Sequence, residues 1–327
     1  MLALALTVLA PAAELRFEIA SKPYVDLFFH VRSCAASKDP LPEGSWLTEA
    51  VGAARALDAE LGTPLAWGHV EALIRDCATA KEGSAAIAEA RETLEMGGGR
   101  TVALRAGALK LAGELEKIEA NFVEHLWPAD EKAIAEGIER IRKGFGGKEG
   151  ECLAFVAKHL DLVSLDRTIP VRIVFEAPFP GAVTHRAPGG GVCFVGVKAN
   201  PGSQLLETVL HEATHVLDIA TPIADGVGGS VLYELRARLE KAGFTRKDPE
   251  WRDVPHTLMF VQAGETIRRL VDRKHEHYGV AARYYDKVRA IADLELDAWI
   301  AYLDGKATRE EAIERIVAGV TAGRAPR

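Results

Sequence analysis

Residues 208–218 read TVLHEATHVLD, and this stretch decides how the rest of the chain is interpreted. His211 and His215 are four positions apart, so on a helix both imidazoles lie on one face and can bind a single tetrahedral metal ion. Glu212 lies about 100° around the same helix from His211. From there its carboxylate can reach a water molecule on the metal without occupying a ligand position. The pattern therefore predicts a metal site on a helix.

The helix that carries this motif is expected to span residues 201–220. Asn200 and Pro201 are a favourable helix opening, and Pro222 marks the stop. One face of the helix is apolar, and the opposite face carries a row of polar residues that includes both histidines. No Lys or Arg occurs in the helix. A solvated face normally carries such residues, whereas a face that binds a cation avoids them because like charges repel. The pattern thus favours a metal site over an ordinary surface helix.

Residues 208–217 resemble the extended signature of the zincins, in which uncharged residues surround His-Glu-x-x-His and a hydrophobic residue closes it. Zincins are zinc metallopeptidases, so the resemblance implies a Zn²⁺ cofactor with His211 and His215 as ligands. It also implies that Glu212 is the general base for metal-activated water that hydrolyses a peptide bond. In this group a strand before the active-site helix forms the edge of the cleft and pairs with extended substrate. Residues 192–197 lie where that strand is expected.

The resemblance to zincins also restricts the choice of branch. The metzincin branch requires Gly and His three and six residues after the second histidine of the motif. This chain has Asp218 and Thr221 there, which excludes that branch. The remaining resemblance is to the gluzincin branch, in which a following helix supplies a glutamate as the third ligand.

Two glutamates compete for the position of third ligand. Glu234 has a spacing from the motif like that of several gluzincins, but basic residues of its own helix make an exposed i,i+4 ion pair a sufficient explanation. Glu265 lies in a helix that is apolar on all sides in its first half, so its carboxylate requires a buried partner. Arg268 and Arg269, one turn later, are an alternative partner. We expect Glu265 to be the ligand, with Glu234 as the alternative, and Asp218 or no third carboxylate as the remaining options.

Other polar residues are expected to support the site. A donor to the oxyanion that develops during attack is expected from one of four side chains: His256, Tyr278, Tyr284 or Tyr285. Asp218 follows the motif by one turn and is expected to accept a hydrogen bond from a metal-binding histidine. His275 and His277 belong to the charged run DRKHEH and are expected to be solvated.

The composition excludes several classes of protein. The 327 residues include 40 Lys+Arg and 47 Asp+Glu, which gives a net charge of −7, and 48% of them are hydrophobic. This balance excludes disorder as the main state, and it argues against nucleic acid or an anionic membrane surface as a partner. The four cysteines form no CxxC pair, and no GxSxG or phosphate-binding glycine motif occurs. The expected partner is a peptide or protein substrate.

The pattern of the chain predicts an α+β fold that is predominantly α-helical, with a small β-sheet preceding the metal-site helix. Residues 14–165 form the helical N-terminal region, and residues 166–327 form the zincin-like metal-binding region, joined as one catalytic unit. Strands are expected at 171–176 and 192–197, with a turn at 187–191. The remaining elements are expected at 16–20, 24–35, 201–220, 230–243, 255–276, 281–303 and 307–321.

The amino-terminal residues 1–13 read MLALALTVLAPAA and are typical of a signal peptide, although a leading positive charge is missing. The apolar run is too short to span a bilayer, and no integral membrane span is expected elsewhere. Export to the periplasm or the medium is therefore expected, with a cytoplasmic location as the alternative. In an oxidising compartment the four cysteines allow three disulfide pairings.

The function expected from these residues is that of a zinc-dependent peptidase. A catalytically silent metal- or peptide-binding protein with a zincin-like fold is the first alternative. The second is a helical interaction protein in which the His-Glu-x-x-His sequence is accidental.

Overall fold

The computed structural model describes residues 16–95, 99–163, 168–178, 181–187, 190–222 and 229–323. It is 65% helical with a small mixed sheet, so the expectation of a predominantly helical α+β fold is confirmed. Within these ranges no helix combines the length and the apolar character needed to cross a membrane. The signal peptide expected at 1–13 lies outside the described residues.

The first half of the described chain is built almost entirely from helices. A short 3₁₀ helix, Pro64–Trp67, precedes α3. The elements of this half are β1 (Phe17–Ala20), α1 (Pro23–Ala36), α2 (Thr48–Leu61), α3 (Gly68–Ile74), α4 (Ala80–Ala88), β2 (Leu94–Glu95), β3 (Thr101–Val102), α5 (Leu104–His125), α6 (Trp127–Phe145) and α7 (Glu149–Leu160). The strands β2 and β3 pair with each other, whereas β1 joins the larger sheet.

The larger sheet has four strands in the order β1-β4-β6-β5, where β4 is Ile169–Val174, β5 is Ala182–Ala187 and β6 is Gly190–Gly196. The strands β1, β4 and β6 are parallel, and β5 is antiparallel to β6. The strand expected at 192–197 is present as β6, but it pairs on both sides, so the expectation that it pairs with extended substrate is wrong. The neighbouring edge strand is β5, which the sequence interpretation missed, and β1 forms the opposite edge.

The second half of the described chain contains the motif helix and the helices that surround it. Its elements are α8 (Gln204–Ala220), α9 (Val231–Lys241), α10 (Pro249–Leu270), α11 (Tyr278–Ala281), α12 (Tyr284–Lys287), α13 (Arg289–Leu303) and α14 (Arg309–Ala322). The helix expected at 281–303 is interrupted, because Arg283 adopts a left-handed conformation with φ of 55°.

Two helices start at residues other than those predicted from the sequence. The helix expected to begin at Pro255 begins at Pro249, and Pro255 lies inside it, at the cost of one backbone hydrogen bond. Asn200 is not the cap of α8, which starts at Gln204. Its Nδ2 donates to the Gly196 carbonyl at 2.7 Å, and its Oδ1 accepts from the Thr208 hydroxyl at 2.7 Å. This amide therefore ties the end of β6 to α8.

One contiguous apolar core includes side chains from both halves of the chain. Two glycines on α6 allow this contact, because a Cβ at Gly137 would lie 2.5 Å from Val197 Cγ1, and one at Gly144 would lie 2.6 Å from Leu206 Cδ1. Helix α6 thus packs directly against α8 and the end of β6. All four cysteines are free thiols.

A buried carboxyl group on α1 should make stability depend on pH. Asp26 is 1% exposed, and its Oδ1 accepts from the Phe175 backbone N–H at 2.6 Å. Burial raises the pKa of Asp26, and the nearby Asp130 and Glu176 raise it further, although the Phe175 hydrogen bond acts in the opposite direction. Because the folded state keeps a proton that the unfolded state releases above about pH 4, the free energy of unfolding should fall as pH rises above that value.

The variant Asp26→Asn keeps the shape and the acceptor oxygen but removes this titration. We expect its free energy of unfolding to exceed that of the wild type by about 1 to 3 kcal/mol at pH 8, and the difference to shrink toward pH 4. Urea unfolding at several pH values measures this. Parallel pH profiles for the two proteins would show that Asp26 does not hold the proton.

Candidate metal centre

Three histidines from two helices converge beside the sheet. Helix α8 presents His211 and His215, with their Nε2 atoms 3.2 Å apart, and α10 presents His256. One potential ligand atom from each ring lies within 4.8 Å of the other two. His211 is buried, whereas His215 and His256 are partly exposed, so the cluster can be reached from solvent.

The chemistry of this donor set fits a zinc ion. Burial lowers the pKa of His215 to about 3 and that of His256 to about 4, and the charge of Arg236 lowers both further, although Asp253 acts in the opposite direction on His256. Burial, followed by the charges of the other two histidines, also lowers the pKa of His211 well below its usual range. All three imidazoles are therefore held neutral, which is the form that binds metal. Three imidazole nitrogens with access from solvent are a recurrent zinc-binding arrangement.

The carboxylate of Glu212 lies between α8 and the edge strand of the sheet. The Thr184 hydroxyl on β5 is 2.6 Å from Glu212 Oε2 and 2.9 Å from the Glu212 carbonyl oxygen. Burial raises the pKa of Glu212 to about 7, while the contact with Thr184 acts in the opposite direction. A carboxylate with such a pKa is suited to exchange protons near neutral pH. Thr184 was missed as a site residue because β5 itself was missed.

Glu265 does not join the histidines, which corrects the expectation that it supplies the third ligand. Its wholly buried carboxylate is held by Arg268 at 2.6 Å, by Arg269 at 3.0 Å and by His277 Nε2 at 3.1 Å. Burial alone would raise its pKa, but His277 and Arg268 lower it to about 2. The sequence correctly indicated a buried carboxylate that needs a partner. The partners are two arginines of its own helix and a histidine of the following loop.

Glu234, the alternative ligand, also lies outside the converging group. It accepts from Arg238 at 2.6 Å in an i,i+4 ion pair, and Arg238 also contacts Glu310 at 2.5 Å. The ordinary ion pair that the sequence suggested for this residue is the contact observed.

The structure places His256 among the potential metal ligands, although the sequence interpretation gave it the role of an oxyanion donor. The difference follows from the earlier start of α10, which puts His256 in the second turn of a helix that packs beside α8. Its ring centroid lies 5.1 Å from that of His211 and 5.4 Å from that of His215. A lone histidine far along the chain carries no local signal for such a role.

Aromatic side chains hold the rings of the cluster in place. Phe260 stacks on His211 with ring centroids 3.7 Å apart, and Tyr278 stacks on the other side of Phe260 at 5.6 Å. The Tyr284 hydroxyl lies 3.4 Å from His256 Nδ1. Of the three candidate tyrosines, Tyr284 therefore contacts a histidine of the cluster, while Tyr285 is buried.

His275 and His277 are buried, so the expectation that they are solvated is wrong. His275 Nε2 lies 2.6 Å from Glu207 Oε2, and His277 pairs with Glu265 as described. The Tyr278 backbone N–H also donates to Glu207 Oε2, at 2.7 Å. Alternate residues of the charged run face inward and fasten this loop to α8 and α10.

Asp218 also differs from its expected role as the partner of a metal-binding histidine. Its Oδ1 accepts from the Ser230 hydroxyl at 2.7 Å, and its Oδ2 lies 3.9 Å from an Arg236 nitrogen. Among the described residues it accepts no hydrogen bond from a histidine. It instead connects α8 to the start of α9.

A second buried cluster supports β5 from its other face, and the sequence gave no signal for it. The carboxylate of Glu71 on α3 contacts both His185 on β5 and Arg32 on α1. Burial, together with the charge of Arg32, lowers the pKa of His185 to about 4. Since His185 follows Thr184 in the strand, this cluster fixes the strand that holds Glu212.

The candidate site thus comprises three neutral imidazoles, one carboxylate and the strand that positions it. Its assignment depends on the residues of this chain alone. Comparisons of the sequence and the structure with protein-family models, with curated proteins and with solved structures find no match.

Proposed function

We propose that the protein is a zinc-dependent hydrolase that cleaves peptide bonds. The observation that carries this proposal is the convergence of His211, His215 and His256, with Glu212 on the same helix as two of them. Structural zinc sites are closed by four protein ligands, whereas catalytic sites have three and keep one position open. In the described part of the chain no fourth histidine, cysteine or carboxylate joins the group. The donor set therefore favours catalysis over a purely structural role.

The roles in the reaction follow from the contacts of the residues present. The three histidines would hold the zinc ion, which when bound supplies a Lewis acid for water and for the scissile carbonyl. Glu212 accepts the proton of the attacking water and later returns it to the leaving amine. Thr184 occupies Oε2 of that carboxylate, which leaves Oε1 for proton transfer. Tyr284 orients the His256 ring through Nδ1.

The edge of β5 is the proposed binding surface for an extended substrate. In the described residues this strand pairs only with β6, so its other edge presents backbone N–H and C=O groups. A peptide that adds to this edge passes Thr184 and therefore the carboxylate of Glu212. This arrangement favours peptide substrates over small molecules. The net charge of −7 is unfavourable for nucleic acid.

Metal analysis combined with a peptide-cleavage assay tests the proposal. We expect about one zinc ion per purified chain, cleavage of a mixed fluorogenic peptide library, loss of cleavage with a chelator, and recovery when zinc is added back. Only trace zinc after incubation with excess metal would contradict the proposal and favour an accidental motif. Stoichiometric zinc without cleavage of any peptide would favour the silent binding protein.

A further inference from the structure

Arg236 on α9 lies beside the helices that carry the histidines. Its guanidinium nitrogen is 3.9 Å from Asp218 Oδ2, and its Cζ is 5.7 Å from the ring centroid of Trp251. Asp218 follows His215 by about one turn on α8, and Trp251 precedes His256 in the first turns of α10. The two contacts therefore place the guanidinium between α8 and α10, nearer to His215 and His256 than to His211, which lies two turns before Asp218.

The hydrogen-bonding capacity of Arg236 is almost unused. A guanidinium has five N–H donors, yet within the described ranges Arg236 makes no hydrogen bond, and its one ion pair is the long contact to Asp218. The other oxygen of Asp218 is occupied by Ser230. By contrast, the buried Arg172 donates to Glu18, Arg75 and Asp76.

Arg236 is also accessible, because its side chain is 30% exposed. A cation next to a site for a divalent metal opposes metal binding, since like charges repel. An anion brought by the substrate would remove this repulsion and satisfy the free donors. The planar guanidinium suits a carboxylate in particular, because two parallel N–H groups match its two oxygens.

We infer that Arg236 binds a carboxylate of the substrate on the His215–His256 side of the site. The inference rests on the proposed hydrolase function and specifies its substrate class as peptides that carry a carboxylate near the bond to be cleaved. Both the free carboxyl terminus of a peptide and an acidic side chain supply this chemistry.

Paired peptides provide the kinetic test. One pair differs only in a free or amidated carboxyl terminus, and a second pair, both amidated, differs only in Glu or Gln next to the cleaved bond. We expect the wild type to prefer the carboxylate member of one pair by about 10- to 100-fold in kcat/KM, and Arg236→Gln to bring that ratio to about one. The pair that responds identifies the source of the carboxylate.

Two further variants make the kinetic result specific. Arg236→Lys keeps the charge but not the paired donors, so an intermediate ratio is expected. Arg252→Gln removes the same charge from an exposed side chain near His256, and it should keep the wild-type ratio. Equal loss of the ratio in Arg252→Gln would show that net charge, and not Arg236, selects the substrate.

Binding measured without turnover separates this inference from the proposed function. In zinc-loaded Glu212→Gln protein, calorimetry should show tighter binding of the carboxylate peptide than of its uncharged partner, and additional Arg236→Gln should abolish the difference with zinc content unchanged. Equal binding and cleavage of both peptides by a zinc-loaded, active wild type would overturn the inference and leave the hydrolase proposal standing. Absence of zinc or of all cleavage in the wild type would instead overturn the hydrolase proposal itself.

Discussion

Glu212→Gln is expected to reduce kcat for peptide hydrolysis by roughly 10²- to 10⁴-fold, the usual contribution of a general base, while the zinc content stays at about one ion per chain. The amide has the same shape as the carboxylate and can still accept from Thr184, but it cannot take a proton from water. Zinc should be retained because Glu212 is not among the three converging residues. Steady-state kinetics and metal analysis of the same preparation measure both quantities.

The matched control for this prediction is Glu234→Gln. Glu234 is also a glutamate, on the helix that follows α8, but it pairs with Arg238 and lies outside the converging group, so turnover and zinc content should be those of the wild type. Undiminished turnover in Glu212→Gln would eliminate Glu212 as the base. Loss of zinc together with turnover would show that Glu212 holds the metal.

His256→Ala removes one of the three proposed zinc ligands. Loss of a hydrogen-bond partner of a ligand weakens metal binding by roughly 10- to 100-fold, so loss of the ligand itself is expected to weaken zinc binding by more than that. The fold should be little affected, since the ring is partly exposed and its polar contact is the 3.4 Å approach to Tyr284. Titration with zinc against a competing chelator measures the affinity, and circular dichroism verifies the fold.

Glu265→Ala should reduce the stability of the fold and leave zinc binding unchanged, which is the reverse of what is expected for His256→Ala. Zinc affinity of the folded protein should be retained, while the free energy of unfolding should fall by about 3 to 5 kcal/mol, because Arg268, Arg269 and His277 lose a buried anion. Urea unfolding at pH 7 measures this loss. Retained zinc in His256→Ala with lost zinc in a folded Glu265→Ala protein would restore Glu265 as the ligand.

The parts of the site that could be predicted from sequence are those determined within one helix. His211, Glu212 and His215 acquire their relative positions from the geometry of α8 alone, so the spacing was sufficient. The partners of Glu265 and His256 depend on where α10 starts and what packs against it. Pro249 and Pro255 are both acceptable helix starts locally, and only the tertiary packing selects the first.

In the sheet, too, the strands with a clear local sequence pattern could be predicted, and the strand without one could not. The buried strands β4 and β6 carry the β-branched and aromatic runs that predict strands, whereas the edge strand β5 has a mixed burial pattern and the sequence AVTHRA. The turn expected at 187–191 was the available signal for a hairpin, although its described residues Ala187, Gly190 and Gly191 belong to the paired ends of β5 and β6. Missing β5 removed Thr184 and the Glu71–His185 contact from the predicted site.

Three imidazoles, and no carboxylate, are proposed to bind the metal. Anomalous diffraction at the zinc edge from crystals of the zinc-loaded protein tests this set of ligands. We predict one strong peak with the nitrogens of His211, His215 and His256 at about 2.0–2.1 Å. A peak with an oxygen of Glu265 or Glu234 at ligand distance, or no peak between α8 and α10, would contradict the claim.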